Sequence, residues 1–180
     1  ADAPSLEAKG EVIESAIVMR RFADGARLDE ILVHEGLRLE AMDELAARMA
    51  SFHAQAPRVE QMSSLGEPET VYFPMAQNFE QIKPLLEEND IESHAQLERL
   101  HQWTEQRYTQ LRPLLAARKR DGFVRELHGD MHLGNMARVD GKIIIFDAIE
   151  FNDSFRWIDV MSELAFLLMD LQDRGLPAHA

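Results

Sequence analysis

The sequence predicts an α+β fold that is mainly helical. Apolar residues recur at helical spacing over most of the chain, whereas short strand-like runs are concentrated between residues 123 and 147. With 180 residues, 46% of them hydrophobic and 28% charged, the chain can bury a core of its own.

Residues 11–22, EVIESAIVMRRF, are β-branched and apolar and run into the breaker Ala23-Asp24-Gly25, which predicts a strand entering a turn. Residues 28–36 form a short amphipathic helix with Leu28, Ile31 and Leu32 on one side and Gly36 as its stop. A second helix follows over 37–55, with Leu39, Met42, Leu45, Ala46, Met49 and Phe52 at helical spacing and Pro57 beyond its end. His53, near that end, reads as a structural histidine. Prolines, serines and Gly66 without periodicity make 57–75 a long loop. Helices are expected over 78–89 and from Ser93, as N-cap, to about Lys119, with Pro84 and Pro113 as kinks or early stops.

The pattern then changes. FVRELH, MARV and KIIIFD are strand-like, separated by HGDMHLGN and by Asp140-Gly141, a strong tight-turn signal, so a hairpin is expected. Residues 157–171 close the chain as a buried helix with Ile158, Met161, Leu164, Ala165, Leu168 and Leu171 on a broad apolar face, and Met161, Phe166 and Met169 are assigned to the core.

Composition excludes several classes of function. There is no cysteine, so disulfides, thiolate metal sites and cysteine nucleophiles are out, and a reducing compartment, the cytoplasm, is the default. No apolar run reaches the ~20 residues that span a bilayer, and no signal peptide is evident. With 19 Lys and Arg against 32 Asp and Glu, the net charge of −13 has the wrong sign for a nonspecific nucleic-acid binder. The expected partner is a small molecule.

The chemistry concentrates in HGDMHLGN, residues 128–135, and in the strand that ends at Asp147. Phosphoryl transfer from ATP needs a carboxylate to orient the attacking hydroxyl and hard oxygen ligands to hold Mg²⁺ against the phosphates. Asp130, Asn135 and Asp147 supply that set. Asp130 precedes Asn135 by five positions, the interval of the kinase catalytic loop, and Asp147 ends an apolar strand, as a second metal ligand does there. His128 reads as a brace that shapes the loop. A zinc or iron site on His128, Asp130 and His132 lacks a third nitrogen ligand, and Glu150 reads as a solvated carboxylate.

HGDMHLGN followed by IIIFDAIEF resembles the catalytic and metal loops of aminoglycoside phosphotransferases and choline-kinase-like enzymes. The resemblance extends from about Val12 to Leu171. It is strongest to an uncharacterised bacterial group of that superfamily with FDAIEF-type metal loops, in which a kinase-like domain can precede a P-loop ATPase domain. It implies the C-terminal lobe of a protein-kinase-like fold, with residues 1–25 as the last N-lobe strand and hinge and 26–180 as the C-lobe. The catalytic loop would span 128–135 and the metal loop 143–151. It makes Asp130 catalytic, Asn135 and Asp147 ligands of Mg²⁺, and Met19, Arg20, Arg21 and Phe22 the stretch contacting the adenine of ATP. Asp159 becomes a brace of the catalytic loop alongside His128.

The chain departs from the pattern in having no glycine-rich phosphate loop, no P-loop and no lysine placed to pair with phosphates, since its lysines are Lys9, Lys83, Lys119 and Lys142. Ala148 and Ile149 stand where protein kinases have Phe-Gly. The expected function is therefore ATP-dependent phosphorylation of a small-molecule hydroxyl by a truncated catalytic lobe that is nearly inactive alone. The missing N-lobe, or a P-loop domain, would belong to a longer protein. The alternative is a noncatalytic kinase-like binding module.

Overall fold

The computed structural model describes Val18, residues 21–87 and residues 89–180. Of the strand predicted over 11–22, only Val18, Arg21 and Phe22 fall within them, and Met19 and Arg20 lie outside. The described fold is α+β and mainly helical. It runs α1 (Leu28–Glu35), α2 (Leu39–Gln55), α3 (Pro68–Ile82), a 3₁₀ turn (Lys83–Leu85), α4 (Ile91–Arg120), β1 (Val124–Glu126), a second 3₁₀ turn (Leu133–Asn135), β2 (Met136–Val139), β3 (Lys142–Ile145), α5 (Asp153–Arg156), β4 (Trp157–Asp159) and α6 (Val160–Asp173).

The core forms where α1, α2 and α6 close on the hairpin β2–β3. Leu28, Ala41, Leu45 and Met49 meet Met131, Leu133, Met136, Ile143, Leu167 and Leu171 in one buried cluster. Burying a side chain of this size contributes about 1.5–3 kcal/mol. Two members, Met131 and Leu133, belong to the HGDMHLGN segment itself, so the loop is pinned into the core by its apolar residues while Asp130 before them and His132 between them stay partly exposed.

The hairpin follows the expected turn chemistry. Met136 pairs with Ile145 and Val139 with Lys142, and Asp140 and Gly141 both take positive φ, 49° and 75°, as a two-residue turn with the right twist requires. Strands β1 and β4 form a separate antiparallel pair, Val124 opposite Asp159 and Glu126 opposite Trp157.

Several expectations are corrected. The loop over 57–75 ends at Glu67, because Pro68 opens α3 at a first-turn position where its missing N–H leaves no bond unmade. Pro74 lies inside that helix, and Pro113 lies inside α4 without stopping it. The helix expected over 78–89 is instead the end of α3 followed by a 3₁₀ turn at Pro84. The cap of α4 is Asp90, whose side chain accepts from the Ser93 amide; hydrogen bonding from Ser93, its side chain first and its amide second, holds the Asp90 carboxyl below the usual range. Residues 157–159 are a strand rather than the first turn of the last helix, since β1 offers them a pairing edge. Met161, Phe166 and Met169 are not core residues: they are exposed, and α6 buries Glu163, Leu167 and Leu171 instead.

Candidate functional site

The segment 128–135 is held by Met131 and Leu133 in the core and by a set of short polar contacts around them. Gly129 has φ +83°, and a Cβ there would lie 2.4 Å from the Phe155 carbonyl oxygen, so glycine is required both by conformation and by space. The imidazole of His128 is buried, accepts from the Asp130 amide at Nδ1 (3.2 Å) and sits 2.7 Å from the Phe146 carbonyl at Nε2. An acceptor carbonyl on one nitrogen and a donor amide on the other fix the neutral Nε2–H tautomer. His132 repeats the device, its Nδ1 accepting from the Gly134 amide at 3.1 Å, which turns Nε2–H toward Asp130 Oδ2 at 3.6 Å. The Leu133 amide donates to Asp170 Oδ2 (3.0 Å).

Asp130 and Asn135 are in direct contact. The Asn135 amide nitrogen donates to the Asp130 carbonyl (2.9 Å) and to Asp130 Oδ2 (3.1 Å). Two acceptors on one side leave no ambiguity about which end of the carboxamide is nitrogen. The Asn135 oxygen therefore points elsewhere, and among the described residues no donor reaches it. The Asp130 carboxylate keeps 40% of its side-chain surface open to solvent, so it can receive a hydroxyl.

The strand leading to Asp147 runs beside this loop. The Phe146 amide donates to the Asn135 carbonyl (3.0 Å), and the Ile149 amide donates to the His128 carbonyl (2.9 Å). Asp147, between them, is exposed and holds φ at +64°, a conformation uncommon outside glycine but tolerated by aspartate. Phe22 packs on Phe146 with ring centroids 5.1 Å apart. Of the four residues expected to contact adenine, Phe22 thus reaches the edge of the loop pair, Arg21 is exposed beside Asp24, and Met19 and Arg20 lie outside the described residues. Among the described residues no three His, Asp or Glu side chains cluster closely enough to hold a metal. Any cation here would rest on one carboxamide oxygen and one carboxylate, with its other ligands from phosphate and water.

The structure corrects the role expected of Asp159. Its carboxylate is engaged by Arg118 Nε and NH2 at 2.7 and 2.8 Å and caps α6 at the Met161 amide, so it does not reach the loop. Arg118 is in turn held above its ordinary pKa by that bond. The brace is Glu163, one turn further along α6. Its Oε2 accepts from the His128 amide (2.7 Å) and the Gly129 amide (3.0 Å), and its Oε1 lies 2.9 Å from His53 Nε2. Glu163 shares the buried face of α6 with Leu167 and Leu171, a face that the structure, and not the spacing, selects.

No family model and no solved structure matches the chain. It is similar to uncharacterized proteins of mycobacteria, Rv2004c of Mycobacterium tuberculosis and Mb2027c of Mycobacterium bovis, at 29% identity over 163 residues in each case. That alignment covers 90% of this chain but 32% of each relative, so the chain spans about a third of their length.

Proposed function

We propose that this chain carries the phosphoryl-transfer site of an ATP-dependent phosphotransferase acting on a hydroxyl group of a small molecule, as the C-terminal lobe of a kinase-like fold of the aminoglycoside phosphotransferase and choline-kinase type. The observation that carries the reading is the orientation of Asn135. Its nitrogen is committed to Asp130, which leaves its side-chain oxygen free to ligate, and its backbone carbonyl accepts from Phe146, the residue before Asp147. That polarity suits a hard cation between Asn135 and Asp147 and a hydroxyl at Asp130.

In this reading Asp130 accepts a hydrogen bond from the acceptor alcohol and takes its proton as the alcohol oxygen bonds to the γ-phosphorus. The bond from phosphorus to the β,γ-bridging oxygen breaks, and the electron pair leaves with ADP. Mg²⁺, when bound, supplies neutralisation of phosphate charge. The Asn135 amide nitrogen, 3.1 Å from Asp130 Oδ2, steadies the carboxylate that receives the proton. Phe22 against Phe146 offers an apolar edge for the adenine.

The competing reading, a noncatalytic kinase-like module, is favoured by one observation. Lys119 is buried and committed to Glu67 and the Ser63 carbonyl, so it is spent on holding the 63–67 segment to α4 rather than on phosphate. Lys119 is then not a phosphate-pairing lysine.

The deciding experiment uses the longer protein that contains this chain and measures Mg-ATP-dependent phosphate transfer to a panel of alcohols. Asp130→Asn is expected to lower turnover by about 10²–10⁴-fold while leaving nucleotide affinity nearly unchanged. Unaltered turnover removes Asp130 from the mechanism, and nucleotide binding with no transfer to any alcohol favours the noncatalytic module.

A further inference from the structure

We infer that His53 is a positioning residue for the 128–135 loop and acts through Glu163. His53 stands in the last turn of α2, 75 positions before the loop, and read from sequence it is an ordinary structural histidine. Its Nε2 meets Glu163 Oε1 at 2.9 Å, while Oε2 of the same carboxylate takes the His128 and Gly129 amides. The carboxylate accepts on Oε1 only if His53 carries its proton on Nε2.

The Glu163 side chain has no exposed surface, and among the described residues Oε1 has no other partner. Without the imidazole, a buried carboxylate oxygen is left unpaired. It is relieved by rotating or by taking up a proton, and either change disturbs the two amides on the other oxygen. Those amides belong to the residues immediately before Asp130, so the disturbance reaches the carboxylate proposed to orient the hydroxyl. That last step rests on the phosphotransferase reading; the coupling of His53 to the loop does not.

The coupling is separable from general support of the fold. The chain leaving α2 is independently tied to β1: the Glu126 amide donates to the Pro57 carbonyl, the Val59 amide to the Val124 carbonyl, and Arg125 NH1 to the Ala54 and Ala56 carbonyls. Removing the His53 ring leaves all of these bonds in place. A positioning role therefore predicts a local effect on two amides and none on their neighbours.

Amide hydrogen exchange on the folded chain tests this. In His53→Ala, protection at His128 and Gly129 is expected to fall about tenfold or more, while Glu126 and Val59 change by less than about twofold. His53→Gln, whose side-chain amide can still donate to Oε1, should restore most of the protection. Unchanged exchange at His128 and Gly129, an equal loss at all four amides, or a Gln variant no better than Ala would overturn the inference. Should the Ala variant not fold, the wild-type imidazole decides: NMR should find His53 as the Nε2–H tautomer with a slowly exchanging ring proton, and the other tautomer sinks the idea. In the longer protein, His53→Ala should lower kcat with little change in nucleotide KM, and Gln should rescue it. If the exchange result holds but Asp130→Asn leaves turnover unaltered, the phosphotransferase reading falls and the positioning of the loop by His53 stands.

Discussion

The loop region and the α3–α4 hairpin are built on opposite principles. Around residues 124–147 the buried groups are both apolar and polar, and the polar ones are matched donor to acceptor: Glu163 to two amides and an imidazole, His128 to an amide and a carbonyl, Asn135 to Asp130. In the hairpin, α3 and α4 together bury only Pro68 and Lys119, both at its base. The two helices meet instead through half-exposed pairs, with Tyr72 stacked on Tyr108 at 4.2 Å, Phe79 stacked on His101 at 4.6 Å, and Glu69 bonded to Arg112. Leu100, Trp103, Leu111 and Leu114 lie exposed along one side of α4 at three- and four-residue steps about Arg107. Matched buried polar groups specify a single geometry, and a change there has nowhere to relax. A helix pair held by surface stacking can lose any one contact cheaply.

The largest expected effect tests the first half of that contrast. Gly129→Ala places a Cβ 2.4 Å from the Phe155 carbonyl oxygen at a φ of +83°, in a segment tied down by the Phe155 amide on the Asn152 carbonyl and the Leu127 amide on the Arg156 carbonyl, while the Gly129 amide is held by Glu163. A loss of about 3 kcal/mol or more is expected in denaturant unfolding. A loss below about 1 kcal/mol would show that the loop is softer than its bonding implies.

The same contrast explains what the sequence made legible. HGDMHLGN and Asp147 are readable because their information is local: five positions between Asp130 and Asn135, an apolar strand before Asp147, and a two-residue turn at Asp140-Gly141. The helices α1, α2 and α4 are readable for the same reason, through periodicity and their stops. The choice between Asp159 and Glu163 as brace was not readable locally. Both are acidic, and only the pairing of β4 with β1, which places Asp159 at the helix start beside Arg118, turns Glu163 inward. The beginning of α3 at Pro68 was obscured because proline marks loops and first helical turns alike. The core assignment of Met161, Phe166 and Met169 failed because α6 is apolar beyond the face it buries, so periodicity could not choose the face.

An intermediate effect is expected where a single side chain ties a helix to the hairpin β2–β3. Glu44 on α2 accepts from the Ile143 amide at 2.7 Å and faces Arg138 NH1 at 3.4 Å. The amide bond chiefly, and the arginines behind it, hold its carboxyl below the ordinary carboxylate value against the opposing effect of burial. A depressed folded-state pKa means that this contribution is fully present above the unfolded value, about 4.3, and is lost as pH falls through the folded value. Protection of the Ile143 amide should therefore be constant above the unfolded carboxylate value and decline only as pH falls below it. Glu44→Gln should cost about 1 kcal/mol at pH 7 and remove that pH dependence. A decline that persists unchanged in the Gln variant would assign it to another carboxylate.

The smallest effect is expected on the exposed side of α4, and it tests the second half of the contrast. Trp103 is 58% exposed, and among the described residues its aromatic or cationic partner is the Arg107 guanidinium, 5.6 Å from the ring centroid. A cation–π contact at such a site is worth about 0.5–1 kcal/mol at most, and the tryptophan buries little area that alanine would forfeit. Alanine, for its part, has the higher helix propensity, which offsets part of the loss. Trp103→Ala is therefore expected to shift stability by less than about 0.5 kcal/mol, and Leu114→Ala by no more. The measurement is denaturant unfolding of each variant at two protein concentrations about tenfold apart. A cost above about 2 kcal/mol that is the same at both concentrations would mean that Trp103 is packed within the chain, contrary to its exposure. A cost that appears only at the higher concentration would mean that the stripe is covered by a second copy. The contrast with the loop would then lie in what covers each region, not in how much each can lose.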